Sequence, residues 1–462
     1  MRELEGRFGP ELVVIGVHSG KFRAERVTAN IAQAADRMDV RHAIVNDRQY
    51  RVWRTYGVNA WPTIVIVAPD GGYVGSLPGE FLADQLEPTL RAILAEFEAV
   101  GGIGREPLPL ALPTPADGPL RFPGKVLAAS GGRLFVADSG HDRILELQVK
   151  VEGSAPDGAG ARMDGKPSAR VVRVIGSGER GSVDGPLALA RFDHPEGMAL
   201  RHASDTETLF VADSENHAIR AVDLGAGEVT TLAGTGLQSR RANEPGAGRG
   251  VALSSPWDLA LVDDGMIIAM AGAHQLWKLD LATLETGPWV GTGREDISDG
   301  PAARCTLAQP MGVSLTGDRL YFADAESSAV RFVDLRSTPD VTTIVGRGLF
   351  EFGDEDGKGG HVRLQHPYGV AAHEDVLYVA DTYNNKIKRI DLDGRSETFA
   401  GDGEEGLRDG ELLDARFDEP QGVAVADNLL FVADTNNHAI RVIDLRAAAG
   451  SRAQVRTLQI TQ

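Results

Sequence analysis

The sequence is poor in cysteine, in aromatic residues and in positive charge. Its 462 residues include one cysteine, Cys305, which excludes an internal disulfide, a CxxC redox pair and a cysteine-rich zinc site. Aromatic residues make up 6% of the chain. Because 47 basic residues face 66 acidic ones, the net charge of −19 disfavours a nucleic-acid partner, which needs a basic surface.

Long apolar segments are also lacking. No run approaches the roughly 20 apolar residues that cross a bilayer. The first 20 residues carry three acidic side chains instead of the apolar core of a signal peptide. We therefore expect a cytoplasmic protein without a membrane partner. Glycine, in contrast, is abundant at 55 residues and follows no collagen-like period, which indicates many tight turns.

The length predicts more than one domain, and a stretch rich in glycine and proline marks the boundary. Residues 101–119 (GGIGREPLPLALPTPADGP) have no apolar period and are typical of a linker. We predict one domain over 1–100 and a second over 120–462. Residues 1–105 are almost neutral, so nearly all of the negative charge belongs to the second domain.

The N-terminal pattern alternates strands and helices, which predicts an α/β domain. ELVVIGV (11–17) is a continuous apolar run, as expected for a strand buried on both faces. Further elements are predicted as a helix over 22–38, a strand over 42–47, a short helix over 48–56, a hairpin over 63–79 that turns at Asp-Gly-Gly (70–72), and a helix over 81–97 interrupted near Pro88.

This order of elements, with YGVNAWPTIVIV at its centre, resembles the thioredoxin-like superfamily over about residues 1–98. The resemblance implies a cis bond between Trp61 and Pro62, next to a platform where an extended peptide docks. In that superfamily a central strand and a CxxC helix start precede everything seen here. We therefore expect an incomplete thioredoxin-like domain, with a misplaced gene start or a strand supplied from elsewhere. A degenerate redoxin with a rearranged sheet is the alternative.

One pattern occurs six times in the rest of the chain. LFVADSGHDRILEL (134–147) recurs at 209–224, 267–281, 320–335, 377–392 and 430–445. A Pro-x-Gly-apolar strand precedes each copy, and a fourth strand follows, which in the last copy is VRTLQI (455–460). The insertion at 151–170 is of low complexity, and we expect it to be disordered. Four short strands in each of six units predict a six-bladed β-propeller.

These repeats resemble the NHL repeat family over about residues 120–460. A redoxin-like domain followed by such a propeller resembles the family of NHL repeat-containing protein 2 and its bacterial relatives. The CxxC-type motif of that family is not present in this sequence. The fold class that we predict is thus an incomplete α/β thioredoxin-like domain joined to an all-β six-bladed propeller.

Most of the repeated residues have a structural explanation. The aspartate that ends each LFVAD strand can bind its turn or pair with the basic residue seven positions later, which predicts the pairs Asp213–Arg220, Asp324–Arg331, Asp381–Lys388 and Asp434–Arg441. Blade three has Met270 instead of this aspartate, which we interpret as neutral drift. DEDGKG (354–359) begins like a calcium loop, but Lys358 at a ligand position argues against calcium.

The residues around the start of each first strand are the candidate site residues. They are expected near one mouth of the propeller channel and comprise Asp193, His194, Asp258, Gln309, His366, Asp418 and Glu419. Their types vary between blades, which favours a solvated rim over a ligand or metal site. The Gly-x-Gly turns are not followed by the helix of a phosphate-binding motif. We predict no catalytic residue, metal ligand or cofactor.

Three hypotheses of function remain open. The first is a scaffold whose propeller binds a protein or peptide partner. The second is a thiol–disulfide oxidoreductase whose CxxC lies upstream of Met1. The third is a propeller hydrolase or lyase with a metal ion in the channel.

Overall fold

A computed structural model divides the chain into two compact units, Met1–Ala116 and Asp117–Gln462. It describes residues 1–79, 81, 83–106, 118–150, 165–203, 206–239, 244–336, 339–448 and 453–461. Most of the predicted linker (107–117) and most of the predicted disordered insertion (151–164) lie outside these residues. The end of that insertion was predicted wrongly, because residues 168–170 already belong to a strand.

The N-terminal unit contains four helices and four strands among its described residues. They are α1 (Arg2–Phe8), β1 (Ile15–His18), α2 (Thr28–Arg37), β2 (Ala43–Asn46), α3 (Arg51–Thr55), β3 (Thr63–Val67), β4 (Tyr73–Pro78) and α4 (Ala83–Glu98). The predicted interruption near Pro88 is wrong, because α4 continues through this residue. Pro88 lies near the start of the helix, where the loss of one backbone hydrogen bond does not end it.

The four strands form two separate sheets. β1 pairs with β2 in parallel, and β3 pairs with β4 as an antiparallel hairpin. Among the described residues, neither β1 nor β3 has a further strand partner. The prediction that the first strand is buried on both faces is wrong, since Ile15 is 55% and Val17 42% exposed. A two-stranded sheet is too narrow to be enclosed by helices, so these apolar side chains remain accessible.

The core of this unit lies against the hairpin. Leu4 and Phe8 of α1 are buried with Leu86 of α4. Ile64 and Ile66 of β3 pack against this cluster. The two terminal helices therefore pack against β3, and their contact relies on apolar burial.

The second unit is a six-bladed β-propeller. Blades two to six each begin with a two-residue strand at their outer edge, and the four strands that follow it, or that form blade one, are counted as first to fourth from the propeller axis. Blade one has β5 (Val126–Ala129), β6 (Arg133–Asp138), β7 (Arg143–Lys150) and β8 (Ser168–Ile175); blade two has β9 (Gly185–Pro186), β10 (Pro195–Ala203), β11 (Thr206–Asp213), β12 (Ala218–Asp223) and β13 (Glu228–Ala233); blade three has β14 (Gly246–Ala247), β15 (Pro256–Val262), β16 (Gly265–Met270), β17 (Gln275–Asp280) and β18 (Glu285–Val290).

The other three blades repeat this plan. Blade four has β19 (Gly300–Pro301), β20 (Pro310–Thr316), β21 (Arg319–Asp324), β22 (Ala329–Asp334) and β23 (Asp340–Val345); blade five has β24 (Gly357–Lys358), β25 (Gly369–His373), β26 (Val376–Asp381), β27 (Lys386–Asp391) and β28 (Arg395–Ala400); blade six has β29 (Gly410–Glu411), β30 (Pro420–Ala426), β31 (Leu429–Asp434), β32 (Ala439–Asp444), the short helix α5 (Leu445–Ala448) and β33 (Gln454–Thr457). The second strands (β6, β11, β16, β21, β26 and β31) each end in five buried residues, because other strands flank them on both sides and neighbouring blades pack against their faces.

The last strand closes the ring. VRTLQI was predicted as one strand of blade six, but the chain divides at Leu458, whose buried backbone N–H donates to the Ile440 carbonyl (2.8 Å). Beyond it, β34 (Gln459–Thr461) pairs in parallel with β8 of blade one. The sequence analysis also missed the two-residue strands that begin blades two to six. Each of them covers the outer edge of its own blade, and covered edges resist pairing with other chains.

Buried ion pairs brace three of the six blades, as the sequence predicted. Asp213 binds Arg220 at 2.6 Å, and two other blades have an equivalent pair. Asp324 binds Arg331 at 2.9 Å, and Asp434 binds Arg441 at 2.7 Å. The predicted Asp381–Lys388 pair differs, because the Lys388 ammonium donates to Asp354 and Asp356 instead. Asp354 and Asp356 belong to the DEDGKG segment (354–359), so the carboxylates of this segment form ion pairs with a lysine of their own blade.

Blade three replaces this network as a unit. Met270 stands where the other blades have the aspartate, and Trp277, seven residues later, stands where they have the basic residue. Trp277 is 1% exposed and packs with Met270 in one apolar cluster. The backbone N–H of Ser254 meets the Met270 sulfur at 3.3 Å, where other blades offer a carboxylate oxygen. Both ends of the pair have thus changed together within the one repeat that we interpret as neutral drift.

We expect Arg441→Leu to destabilise the propeller by about 3–5 kcal/mol, because it leaves the Asp434 carboxylate buried without its cation. The double variant Asp434→Met with Arg441→Trp should recover more than half of this loss, since blade three packs these residue types at the same places. Urea unfolding followed by circular dichroism measures both changes. Arg347→Leu, at an exposed arginine, is the control. A double variant as unstable as the single one would contradict the expectation.

Candidate functional site

One hydrogen bond crosses every boundary between neighbouring blades, and we call it the latch. Its donor is the backbone N–H of the residue before the proline that begins each first strand. Its acceptor is the side chain of the left-handed residue in the turn after the second strand of the preceding blade. The six latches are His194 to Asp142 Oδ1 (2.9 Å), Ser255 to His217 Nδ1 (3.0 Å), Gln309 to His274 Nδ1 (3.2 Å), His366 to Ser328 Oγ (3.3 Å), Glu419 to Asn385 Oδ1 (2.9 Å) and Phe122 to His438 Nδ1 (3.0 Å).

A second bond reinforces four of the six boundaries. A hydroxyl that follows the LFVAD aspartate donates to the carbonyl of the proline in the next blade. These donors are Ser139, Ser214, Thr382 and Thr435, with distances of 2.7, 2.5, 2.8 and 2.8 Å. Blades three and four have Ala271 and Ala325 at this place. Since Thr435 reaches Pro123, the closure between blades six and one has both bonds.

The structure distributes the candidate residues around this ring. His194, Gln309, His366 and Glu419 donate their backbone N–H groups in four different latches, and Asp193 and Asp418 directly precede two of them. Among these candidate residues, only those adjacent in the sequence lie close to each other. His194 Nδ1 lies 2.9 Å from Asp193 Oδ1. The His366 ring stacks on Tyr383 with centroids 4.8 Å apart. The rim interpretation stays a prediction, and the described geometry brings no set of these residues around one reacting atom.

Asp258 has a different place, in the ring of first strands. Its Oδ2 lies 3.4 Å from Nζ of Lys125, a blade-one residue that the sequence analysis did not single out. The Lys125 ammonium also donates to the carbonyls of Met311 (2.8 Å) in blade four and Tyr368 (2.9 Å) in blade five. The side chains of Lys125 and Asp258 are only 5% and 15% exposed. One lysine therefore connects four blades across the axis.

Crowding explains why only two side chains occupy this level. The other four blades have glycine there, at Gly197, Gly312, Gly369 and Gly422. A Cβ atom on Gly312 would lie 2.5 Å from the Tyr368 carbonyl oxygen and 3.1 Å from Lys125 Nζ. Only glycine fits against such close backbone. The opposite charges of Lys125 and Asp258 neutralise each other in this buried place.

Two blade boundaries concentrate carboxylates. Between blades five and six, burial raises the pKa of Asp418 to about 6, and the neighbouring Glu419, Glu405 and Asp434 add to the rise. Between blades one and two, burial raises the pKa of Asp142, although the His194 backbone N–H and Arg180 oppose it. Cys305 is buried, and burial raises the pKa of its thiol, which favours the protonated form.

The N-terminal unit presents aromatic side chains beside Trp61 and Pro62. The peptide bond between these two residues is cis. Trp61 is 52% exposed, its Nε1 donates to the Ser19 carbonyl (2.9 Å), and its ring lies 4.6 Å from that of Trp53. The indole thus connects the end of β1 with the start of β3. The platform role of Trp61 and Pro62 stays a prediction.

Asp47 fixes the helix that carries Trp53. Its carboxylate accepts the backbone N–H groups of Arg51 (2.7 Å) and Trp53 (2.9 Å) at the start of α3. Burial acts to raise the pKa of Asp47, but these hydrogen bonds outweigh it and lower the pKa below its ordinary value. The ionised cap holds Trp53 in position against Trp61.

Sequence reasoning missed Lys125, Asp142 and Trp53. A signal existed for Asp142, which stands in the turn of blade one where the other blades have histidine, serine or asparagine. Lys125 gave no such signal, because the glycine of blade one is displaced by one position to Gly124. Trp53 was expected on a helix, but its contact with Trp61 depends on the fold of the whole unit.

Comparison with known proteins supports the repeat architecture. The NHL repeat family model matches residues 417–443. Protein SUPPRESSOR OF QUENCHING 1, chloroplastic, of Arabidopsis thaliana is 37% identical over 97% of this chain and 42% of its own length. NHL repeat-containing protein 2 of Gallus gallus is 35% identical, with 96% and 64% covered. The human NHL repeat-containing protein 2 is also 35% identical, with 94% and 62% covered.

The class of protein defined by the fold and these matches is that of NHL-repeat β-propellers. The chain belongs to the family of NHL repeat-containing protein 2. It spans less than two thirds of the length of the curated relatives it matches. In the part of the chain that the structure describes, no helix is long and apolar enough to cross a membrane.

We expect one latch to depend on pH. His217 must keep Nδ1 unprotonated to accept the Ser255 N–H, and burial lowers the pKa of His217 although Glu215 and Asp193 oppose this. The unfolded chain takes up this proton near pH 6.5. Wild type therefore loses the stability that neutral His217 contributes as the pH falls below about 6.5. The variant His217→Asn, which copies the neutral Asn385 of blade five, does not lose this contribution.

Urea midpoints of both proteins at about pH 7.5 and about pH 5.5 measure this difference. His217→Asn should gain on wild type as the pH decreases. An equal shift of both midpoints would show that His217 does not control the latch.

Proposed function

We propose that this protein is a binding scaffold whose rigid propeller engages a protein partner through the face that carries the latches. The observation that supports it most is the use of the repeated polar residues. In the described residues they brace blades and join boundaries, and no nucleophile, base and oxyanion donors meet at one point. Membership of an NHL-propeller family agrees with a binding role.

Charge indicates the chemistry of the partner. Glu215 is an exposed residue of a turn next to a latch, and Glu295 and Glu405 are exposed residues of the loops that connect blades on the same side. The face therefore attracts a basic surface, and such attraction accelerates association at low salt. The partner that fits is a protein or peptide with clustered lysine and arginine.

A charge-reversal experiment tests the proposal. Glu215→Lys, Glu295→Lys and Glu405→Lys are combined in one full-length variant. Cross-linking mass spectrometry on tagged protein in native extract identifies the partners of wild type. The variant should lose at least tenfold in recovery of these partners, because each reversal replaces attraction by repulsion at the interface.

The matched control makes the same change of charge elsewhere. Glu228, Glu285 and Glu397 are exposed on the fourth strands of blades two, three and five. Their combined change to lysine should leave recovery unchanged. Equal loss in both variants would assign the effect to net charge, and full recovery in the first variant would exclude this face.

The second candidate is a thiol–disulfide oxidoreductase in which a strand and a CxxC motif upstream of Met1 complete a thioredoxin-like domain. The division of the N-terminal strands into two separate sheets supports this candidate, because among the described residues β1 and β3 each have one strand partner and expose apolar side chains. The aromatic pair Trp53 and Trp61 next to Pro62 supports a peptide platform. The curated relatives are longer than this chain, which agrees with additional sequence in a complete protein.

The coding frame before Met1 tests this candidate directly. We expect an in-frame apolar strand followed by Trp-Cys-x-x-Cys, and a stop codon immediately before Met1 would exclude the candidate. The extended protein should reduce insulin, and the given chain should not, because Cys305 is its single thiol. A Cys→Ser change in the added motif serves as the control.

A hydrolase or lyase with a metal ion on the axis is the least supported of the three. Lys125 places an ammonium group within hydrogen-bonding distance of two carbonyls there, which is the environment that a metal ion would need. Two cations in such a small buried volume would repel each other strongly.

A further inference from the structure

The latch between blades one and two differs from the other five in its acceptor. The acceptor is the carboxylate of Asp142, whereas the other boundaries use the neutral side chains His217, His274, Ser328, Asn385 and His438. A neutral side chain is therefore sufficient for the hydrogen bond. A buried carboxylate is costly unless it is paired, so Asp142 has a reason to be there beyond the latch.

Two further ligand-forming side chains meet Asp142. Asp142, Asp193 and His194 each offer one oxygen or nitrogen atom, and these atoms lie within 4.8 Å of one another. His194 Nδ1 lies 2.9 Å from Asp193 Oδ1 and 3.7 Å from Asp142 Oδ1. Ligand atoms about 2.0–2.1 Å from a tetrahedral zinc ion are roughly 3.4 Å apart. The two separations from the His194 nitrogen are thus close to this value.

Charge also favours a divalent cation. Arg180 is the cation beside these carboxylates, with Nε 3.1 Å from Asp193 and 3.6 Å from Asp142. One guanidinium does not balance two carboxylates, whereas a divalent ion does. At the equivalent loop position, blades four and six have Glu295 and Glu405, so the arginine is particular to this boundary.

We propose that Asp142, Asp193 and His194 form a binding site for a divalent metal ion of the zinc class at the boundary between blades one and two. Two carboxylate oxygens and one imidazole nitrogen are a ligand set that zinc accepts. Arg180 moves away from the carboxylates when the ion binds. Three protein ligands leave a fourth position for water or for a side chain of a partner.

Zinc titration of the full chain after EDTA treatment tests the site. Isothermal calorimetry should show about one high-affinity ion per chain, and bound Co²⁺ should give visible absorption bands. Asp142→Asn should weaken zinc binding at least tenfold, because it removes one charged ligand. This variant should fold, since Asn385 forms the same latch in blade five. His274→Asn, at a latch without carboxylates, should bind zinc like wild type.

Arg180→Gln provides an independent measurement. It removes the competing cation, so zinc affinity should increase several-fold while circular dichroism stays unchanged. Equal affinity in wild type and Asp142→Asn would show that zinc binds elsewhere on the chain. The absence of saturable binding in both wild type and Arg180→Gln would also overturn the proposal.

Discussion

The hydrogen bond that crosses each blade boundary is the constraint on which the propeller depends. Each blade has two faces to bury and cannot bury either alone, so its position relative to the next blade decides whether the core is closed. The latch fixes this position with a single backbone N–H in a repeated geometry. The acceptor side chain can be histidine, serine, asparagine or, at one boundary, aspartate. Variation in residue type around the rim is therefore compatible with a constant structure.

The axial pair shows a second way to hold the ring. Lys125 and Asp258 stand where the other four blades have glycine, and their two blades are not neighbours. Each of these charged side chains needs the other as its partner. A lone lysine there would be a buried unpaired charge, and a lone aspartate likewise. The carbonyls of Met311 and Tyr368 complete the coordination of the ammonium. This level thus joins blades one, three, four and five.

Much of the propeller was predictable because its signals are local. Six copies of one strand pattern determine the blades, and an aspartate and a basic residue seven positions apart face each other across one hairpin. The latches join residues that are 34 to 316 positions apart, and Lys125 is 133 positions from Asp258. No periodicity relates such partners. The end of the chain was misassigned for the same reason, since β34 continues the pattern of blade six but pairs in blade one.

The two units treat exposed strand edges in opposite ways. In the described residues of the propeller, two-residue strands cover the outer edges of blades two to six, and β34 covers the outer edge of blade one. Among the described residues of the N-terminal unit, β1 and β3 each keep one side unpaired, and β1 exposes Ile15 and Val17. Two-stranded sheets are marginally stable alone, and unpaired edges readily accept a further strand. The N-terminal unit therefore gains more from an added strand than any blade does, whether that strand belongs to the same polypeptide or to a partner.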